Sequence, residues 1–240
     1  VVDRRGEAHE VRLTAAVYDG SRWRHLEHRF TYRKLDLARG DTGAAVRDLQ
    51  QRLGAQGFWA GAPDGVYGTL THQAVMALEK AHGLPRDGVY DARARQILEA
   101  GAARPRGRTT AGRWLEVDLE RQLVLAVLDG HVQWAFNAST GHGRWYEFNG
   151  RTYRATTTTG QRRVVREIDG MREAERGLLW RPKYFDDSRG IAVHGSTSVP
   201  AYPASSGCVR LSYPAMDFIW SAGLAPVGTG VWVYPENHYG

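Results

Sequence analysis

The only cysteine, Cys208, sits in Ser205-Ser206-Gly207-Cys208-Val209-Arg210, and His194 precedes it by fourteen residues in Ile191-Ala192-Val193-His194-Gly195-Ser196. A thiol is a weak nucleophile until it becomes a thiolate, and a neighbouring imidazole can take its proton. A lone thiol flanked by glycine, with a histidine after a short apolar run, points to a cysteine nucleophile and its base. The alternative is an inert, buried thiol and a core histidine, because free Cys is among the most buried residue types. Backbone N–H groups around Gly207 and Cys208 are candidate oxyanion donors, and Gly207 lets a ligand approach the backbone closely. Arg210 shares the face of Cys208 on an extended strand. There it can bind a carboxylate and favour the thiolate, or it can be one surface arginine among many. Ser206 can donate one hydrogen bond but brings no charge. Tyr184 and Tyr202 are candidate walls of a groove, although aromatics of this kind also serve as plain core. The nine histidines are scattered, with no His-x-His or His-Glu-x-x-His arrangement, so no metal site is expected.

The stretch from His194 to Arg210 closely resembles the active-site signature of the L,D-transpeptidases, bacterial enzymes that cross-link peptidoglycan. The family pattern is a His, a spacer, then Ser/Thr-His-Gly-Cys, an apolar residue, and Asn or Arg. The chain matches at His194, Ser205, Gly207, Cys208, Val209 and Arg210, and departs at Ser206, where the family has a second His. The resemblance implies Cys208 as nucleophile and His194 as base and later acid. It also implies the Gly195 carbonyl as the acceptor that orients the imidazole, since the motif contains no Asp or Glu. The expected reaction is attack on the diamino acid carbonyl of a donor tetrapeptide stem, loss of the terminal D-alanine and formation of a thioester. An amine of an acceptor stem then resolves the thioester. No cofactor is needed, and a carbapenem is expected to acylate the same cysteine. The Ser206 departure bears on rate and pH profile more than on reaction class. Two rivals stand beside this: an L,D-carboxypeptidase with water as acceptor, and a wall-binding protein whose catalytic domain is inactive.

Composition is that of a folded protein, with 42% hydrophobic and 24% charged residues in 240. The net charge is +6, and only Lys34, Lys80 and Lys183 among the 32 basic residues are lysines. An anionic partner such as cell wall fits, as does an arginine-rich solvated surface. No helix-turn-helix, zinc-finger or basic-helix pattern supports nucleic acid. No apolar run approaches membrane-spanning length; the longest is Leu123–Leu128. The chain starts at Val1 without a basic start and apolar signal core, so the resemblance implies that an export segment has been removed and that the protein acts in the cell wall or periplasm.

The elements that must carry these residues are legible in outline. The expected fold class is α+β and multi-domain: a β segment, a small three-helix module, then a mostly-β catalytic domain. Residues 1–36 read as a hairpin, with Val11, Leu13, Ala15 and Val17 alternating before Asp19-Gly20-Ser21 and Trp23, Phe30 and Tyr32 after it. A hairpin alone is marginal in water, so it packs elsewhere or is the tail of a truncated β domain. Residues 37–100 read as helices. Val46, Leu49 and Leu53 have helical spacing behind Asp41 or Thr42 as N-cap, Ala74, Val75 and Leu78 repeat it before His82-Gly83, and Asp91 caps a third helix. Two copies of Asp-Gly-Val-Tyr, at 64–67 and 87–90, each precede a helix. This stretch resembles the peptidoglycan-binding domain found beside cell-wall enzymes, through Val46-Arg47-Asp48-Leu49, Asp64-Gly65-Val66-Tyr67-Gly68 and Gly83-Leu84-Pro85-Arg86-Asp87-Gly88. It is expected to be separable and to bind glycan, or to be a spacer. Residues 101–112 are a linker by composition, and 113–236 are the catalytic domain, with strands expected near 115–119, 123–127, 132–136, 161–168, 190–194, 209–211 and 230–234. A short helix is expected at 214–221 behind Ser212.

Overall fold

The computed structural model describes residues 8–33, 36–101 and 103–239. It opens with an antiparallel hairpin, β1 (Ala8–Tyr18) and β2 (Trp23–Arg33), in register from Ala8 opposite Arg33 to Tyr18 opposite Trp23. Its described side chains, residue 12 and residues 14–29, are exposed on both faces. The expectation that it packs on the rest is therefore not met by those residues; Val11, Leu13, Phe30 and Tyr32 lie outside the described side chains.

Three helices follow: α1 (Ala44–Ala55), α2 (Thr69–His82) and α3 (Ala92–Glu99). Gly83, left-handed at φ 66°, ends α2, and the Asp91 side chain accepts the N–H groups of Arg93 and Ala94 to start α3. The start of α1 differs from expectation. Its N-cap is Gly43, because the Asp41 carboxylate is already accepting the Ala38 N–H (2.8 Å) in the preceding turn. The two Asp-Gly-Val-Tyr copies are built alike. Asp64 accepts the Val66 N–H and Asp87 the Val89 N–H, each at 2.9 Å, around glycines with φ of 78° and 69°. Tyr67 and Tyr90 are buried, and the Tyr67 hydroxyl donates to the Gly88 carbonyl (2.8 Å), so one copy is tied to the other.

The rest is mostly β, in two five-stranded sheets. The first comprises β3 (Arg113–Asp118), β4 (Leu123–Leu128) and β5 (His131–Asn137), then the short hairpin β6 (Trp145–Phe148) and β7 (Arg151–Arg154) intervenes before β8 (Gly160–Arg163). The second contains β9 (Arg166–Glu167), β10 (Met171–Ala174), β11 (Gly177–Asp186), β12 (Ile191–Ser196) and β13 (Val209–Ser212). Helix α4 (Tyr213–Ser221), capped by Ser212, and β14 (Gly230–Tyr234) complete the chain. The first sheet runs β5-β4-β3-β14-β8 and the second β10-β11-β12-β13 with β9 on β11. Leu115, Val117, Val124, Val231 and Val233 of the first meet Phe185, Val193, Val209 and Leu211 of the second, with Met216 and Ile219 of α4 between them.

The helical module covers the opposite face of the first sheet. Leu123, Leu125 and Val127 pack with Leu49, Leu53, Phe58 and Leu78, while Val124 and Ala126 point into the core between the sheets. Both faces of β4 are covered, which is why Leu123–Leu128 is apolar throughout. The core of the helical module is thus continuous with the sheet. The linker is pinned as well: Arg104 donates to Ala55 O (2.9 Å) and Val132 O (2.7 Å), and buried Glu116 accepts the N–H groups of Arg108 and Thr109.

One polar peg crosses this seam. Lys80 of α2 is 1% exposed and donates to the carbonyls of Gln122 (3.1 Å) and Ala138 (3.0 Å) and to Asn137 Oδ1. Burial pulls its pKa down to about 7. Three oxygens around one ammonium match its three donors and offset that burial. Lys80→Met removes the donors and strands two buried acceptors, Asn137 Oδ1 and the Ala138 carbonyl, while the Gln122 carbonyl keeps the Ala138 N–H (3.0 Å); each stranded acceptor costs about 1–3 kcal/mol. Urea unfolding is expected to show a loss of about 2 kcal/mol or more; a change within about 0.5 kcal/mol would mean the peg is energetically idle.

Candidate active site

The site forms where β12 and β13 run parallel, with His194 in register with Arg210 and Gly195 with Leu211. Cys208 is the residue before β13, two positions ahead of Arg210 in the His194–Arg210 pair. The turn that delivers it depends on Gly207. Its φ is +142°, and an added Cβ would lie 2.8 Å from Ile191 Cδ1 and 3.1 Å from Thr156 O. Ser205, buried, ties the turn together: its hydroxyl donates to Cys208 O and accepts the Gly207 N–H (3.1 Å). Thr157 Oγ1 donates to Gly207 O (2.7 Å) and accepts from Gly141 N (2.9 Å). Gly195 is equally constrained, since a Cβ there would meet Trp180 and Tyr213 at 2.9–3.0 Å.

His194 is 5% exposed, and its Nδ1 lies 2.8 Å from the Gly195 carbonyl. A carbonyl only accepts, so Nδ1 carries the proton and Nε2 presents its lone pair. Burial pushes the imidazole pKa down to about 4; the Gly195 carbonyl opposes this and Arg210 adds to it. Burial also raises the Cys208 thiol above the ordinary thiol range, against the pull of the Ala192 N–H, Arg176, Arg210 and Arg189. The resting pair is therefore a neutral thiol and a neutral imidazole. The thiol points at the Gly190 carbonyl (3.6 Å), and among the described residues no hydrogen bond joins it to His194. Ligand-free catalytic hydrogen bonds are commonly loose in this way.

Both side chains open into one cleft of about 730 Å³, shared with Ser206, Arg210 and Tyr184. Ser206 is half-buried, and its hydroxyl has no hydrogen-bond partner among the described residues. Tyr184 is buried beneath the Arg166 guanidinium, 3.8 Å from its ring centre. Tyr202 is not part of the cleft. Its backbone carbonyl is drawn inward to accept from Ser139 Oγ (2.8 Å), and its ring is left 64% exposed. Of the two candidate oxyanion donors, the Gly207 N–H is occupied by Ser205, leaving the Cys208 N–H. Sequence reasoning missed the arginines from the second sheet, Arg166, Arg172, Arg176 and Arg189, and also Tyr213.

Trp145, Tyr146, Phe148 and Tyr153 lie on the β6–β7 hairpin, which is held by Arg176 of the cleft lining. Tyr146 and Tyr153 stack at 5.8 Å, and Arg176, from the β10–β11 turn, lies 5.0–5.8 Å from the ring centres of Tyr153, Phe148 and Tyr146. Among the described residues, no group of three or more His, Cys, Asp or Glu is arranged to hold a metal, and no helix is long and apolar enough to cross a membrane.

Comparison with known proteins agrees with this layout. Residues 112–233 match the L,D-transpeptidase catalytic domain family, and residues 42–98 match a peptidoglycan binding domain family. The crystal structure of an L,D-transpeptidase from Xylanimonas cellulosilytica is 49% identical, with a TM-score of 0.78, over 82% of this chain and 96% of that one. The spore cortex-lytic enzyme of Bacillus cereus is 40% identical over 62 residues, 26% of this chain and 24% of that protein. The N-acetylmuramoyl-L-alanine amidase CwlL of Bacillus licheniformis is 39% identical over 80 residues, 32% of this chain and 22% of its own. The chain thus spans about a quarter of the length of these curated relatives.

A neutral pair has a distinct reactivity profile. Iodoacetamide alkylation of Cys208 is expected to climb steadily with pH and to keep rising beyond about 8.5, where an ordinary thiol is half ionised. A flat, fast plateau between about pH 5 and 8 would instead report a thiolate–imidazolium pair and contradict the assignment.

Proposed function

Because the chain belongs to the L,D-transpeptidase family, we propose that it is a peptidoglycan L,D-transpeptidase working through a cysteinyl thioester. The observation that carries this reading is a neutral imidazole, oriented through Nδ1 by the Gly195 carbonyl, opening into the same cleft as the chain's one thiol. His194 Nε2 takes the Cys208 proton as Sγ attacks the diamino acid carbonyl of a donor tetrapeptide stem. The oxyanion accepts from the Cys208 N–H. The imidazolium then protonates the departing amine of the terminal D-alanine, leaving an acyl group on sulfur. An acceptor-stem amine attacks the thioester, His194 receives its proton and passes it to the released sulfur, and an amide cross-link remains.

Gly195 acts through its carbonyl alone, fixing which nitrogen is basic. Arg210 supplies charge beside the sulfur and a partner for a substrate carboxylate. Ser206, which stands where the family has imidazole, leaves the base work to His194. The helical module supports action on the wall outside the cytoplasm: its family match is to a peptidoglycan binding domain, and the curated relatives include a cortex-lytic enzyme and an amidase. Packed against the first sheet, it would hold glycan at a fixed orientation to the cleft. The same thiol would accept a carbapenem acyl group.

Incubation with a disaccharide tetrapeptide is expected to add the acyl mass to intact protein at Cys208, with release of D-alanine. Addition of an acceptor stem should discharge the adduct into a cross-linked dimer. Cys208→Ala and Cys208→Ser should show no adduct and melt near wild type, since both replacements are small and Cys208 is only partly buried. Discharge only to free tripeptide would identify a carboxypeptidase, and turnover by Cys208→Ala would exclude covalent catalysis.

A further inference from the structure

The catalytic cleft carries far more positive charge than acyl transfer requires. Five guanidinium groups line it: Arg166 on β9, Arg172 on β10, Arg176 and Arg189 in the flanking turns, and Arg210 on β13. Glu175 is the only acidic residue in the lining. Of these five, only Arg166 has a carboxylate partner among the described residues, Asp187 at 2.6 Å. Arg189 donates to neutral oxygens, Thr158 Oγ1 (2.8 Å), Thr156 Oγ1 (3.1 Å) and Thr156 O (3.2 Å), which fix its position without neutralising it. Arg176 is held by the Tyr146 hydroxyl and three aromatic rings. Arg172 is exposed, and neither it nor half-buried Arg210 has a side-chain hydrogen bond or ion pair among the described residues.

Like charges gathered in a concave wall repel one another, and a guanidinium partly removed from water without an acceptor is costly. Among the described residues no acidic partner relieves the repulsion at exposed Arg172, and half-buried Arg210 bears the desolvation cost as well. The arrangement makes sense when a bound ligand supplies the carboxylates. Arg210, beside the sulfur, accounts for one. Arg172 and Arg189 lie on different elements of the lining, and among the described residues neither has a carboxylate partner.

We infer that the cleft selects donor stem peptides whose side carboxylates are free rather than capped as primary amides, with Arg172 and Arg189 as the discriminating residues. This rests on the transpeptidase reading of the same site and names its substrate class. A carboxylate meets a guanidinium through two parallel charge-assisted hydrogen bonds, whereas a primary amide offers one acceptor and turns two donors toward a donor-only group. Specificity then comes from the penalty on the wrong ligand, which leaves the guanidinium unpaired.

The test uses two synthetic tetrapeptides with the same terminal residue, one with side carboxylates free and one with them as primary amides. Acylation of Cys208 is followed by intact-protein mass. Wild type is expected to favour the free-carboxylate donor by about 10- to 100-fold in kcat/KM, with the preference shrinking as salt is raised. In Arg172→Gln, and further in Arg172→Gln with Arg189→Gln, the gap should narrow through a higher KM for the free-carboxylate donor with kcat held. Melting curves check folding; Arg172 has no partners to lose, so the single variant carries the test if the double variant fails to fold. Equal kcat/KM for both donors in wild type, or an unchanged gap in the folded variants, overturns the inference and leaves the transpeptidase reading intact. Failure of both donors to acylate Cys208 overturns that reading and the inference with it.

Discussion

The site depends on the parallel pairing of two short strands, Ile191–Ser196 and Val209–Ser212. Parallel neighbours cannot be joined by a tight hairpin, and the usual solution is a crossover helix. Here the crossover is the irregular stretch 197–208, and it carries Cys208 at its end. An irregular segment must find partners for its backbone polar groups. Ala204 and Ser205 donate to the Thr140 carbonyl, and the Ser205 carbonyl accepts from His142. The Val199 carbonyl accepts from Asn137 Nδ2 (3.1 Å) and from Gln73 Nε2 (3.2 Å) of the helical module. Asn137 also faces Lys80 and Gln73. The helical module therefore does more than sit beside the catalytic domain. It covers one face of the first sheet and braces the loop between His194 and Cys208.

That bracing sets the electrostatics. A crossover held down on the sheet buries His194, and burial is what keeps its imidazole neutral while its Nδ1–H remains satisfied by Gly195. Arg210 reinforces the same outcome, because a second positive charge on the imidazole would face an existing one. The arginines act on the thiol in the opposite sense, drawing its pKa down where burial pushes it up. The geometry suits a base that is strong only at the moment the sulfur attacks and otherwise leaves the thiol protonated. A carboxylate-bearing ligand entering the cleft would cancel part of the positive field, so binding and thiol reactivity are coupled through the same guanidinium groups.

What was legible in the sequence was what is local. The Cys208 motif, the Asp91 and Ser212 caps, the Gly83 stop and the repeated Asp-Gly-Val-Tyr turns each act over a few residues, so their chemistry can be read without a fold. What was not legible depends on contacts between distant elements. Lys80 looks like an ordinary helix-surface residue until α2 is laid on the first sheet. Leu123–Leu128 alternates by face, yet every residue but Leu128 is buried, because a second layer covers what would otherwise be the outer face. Strand β11 was hidden because Arg181-Pro182-Lys183 interrupts its apolar pattern; the register shifts between Trp180 and Lys183 are the structural counterpart, with Lys183 buried against Glu167 and the Trp220 ring. Arg172, Arg176 and Arg189 could not be distinguished among so many arginines, since only the turn of β10 into β11 and of β11 into β12 brings them to the thiol.

Everything proposed for the site requires that His194 rest as a neutral imidazole with its proton on Nδ1, leaving Nε2 free to receive a proton. Long-range ¹H–¹⁵N spectra of the protein labelled at histidine nitrogen report both tautomer and charge, and comparison with a His194→Gln variant assigns the signal. The expected signal is an Nδ1–H tautomer that persists unprotonated as pH falls through the ordinary histidine range, titrating only near about 4. An imidazolium signal from His194 at neutral pH, or a neutral ring carrying its proton on Nε2, would contradict it.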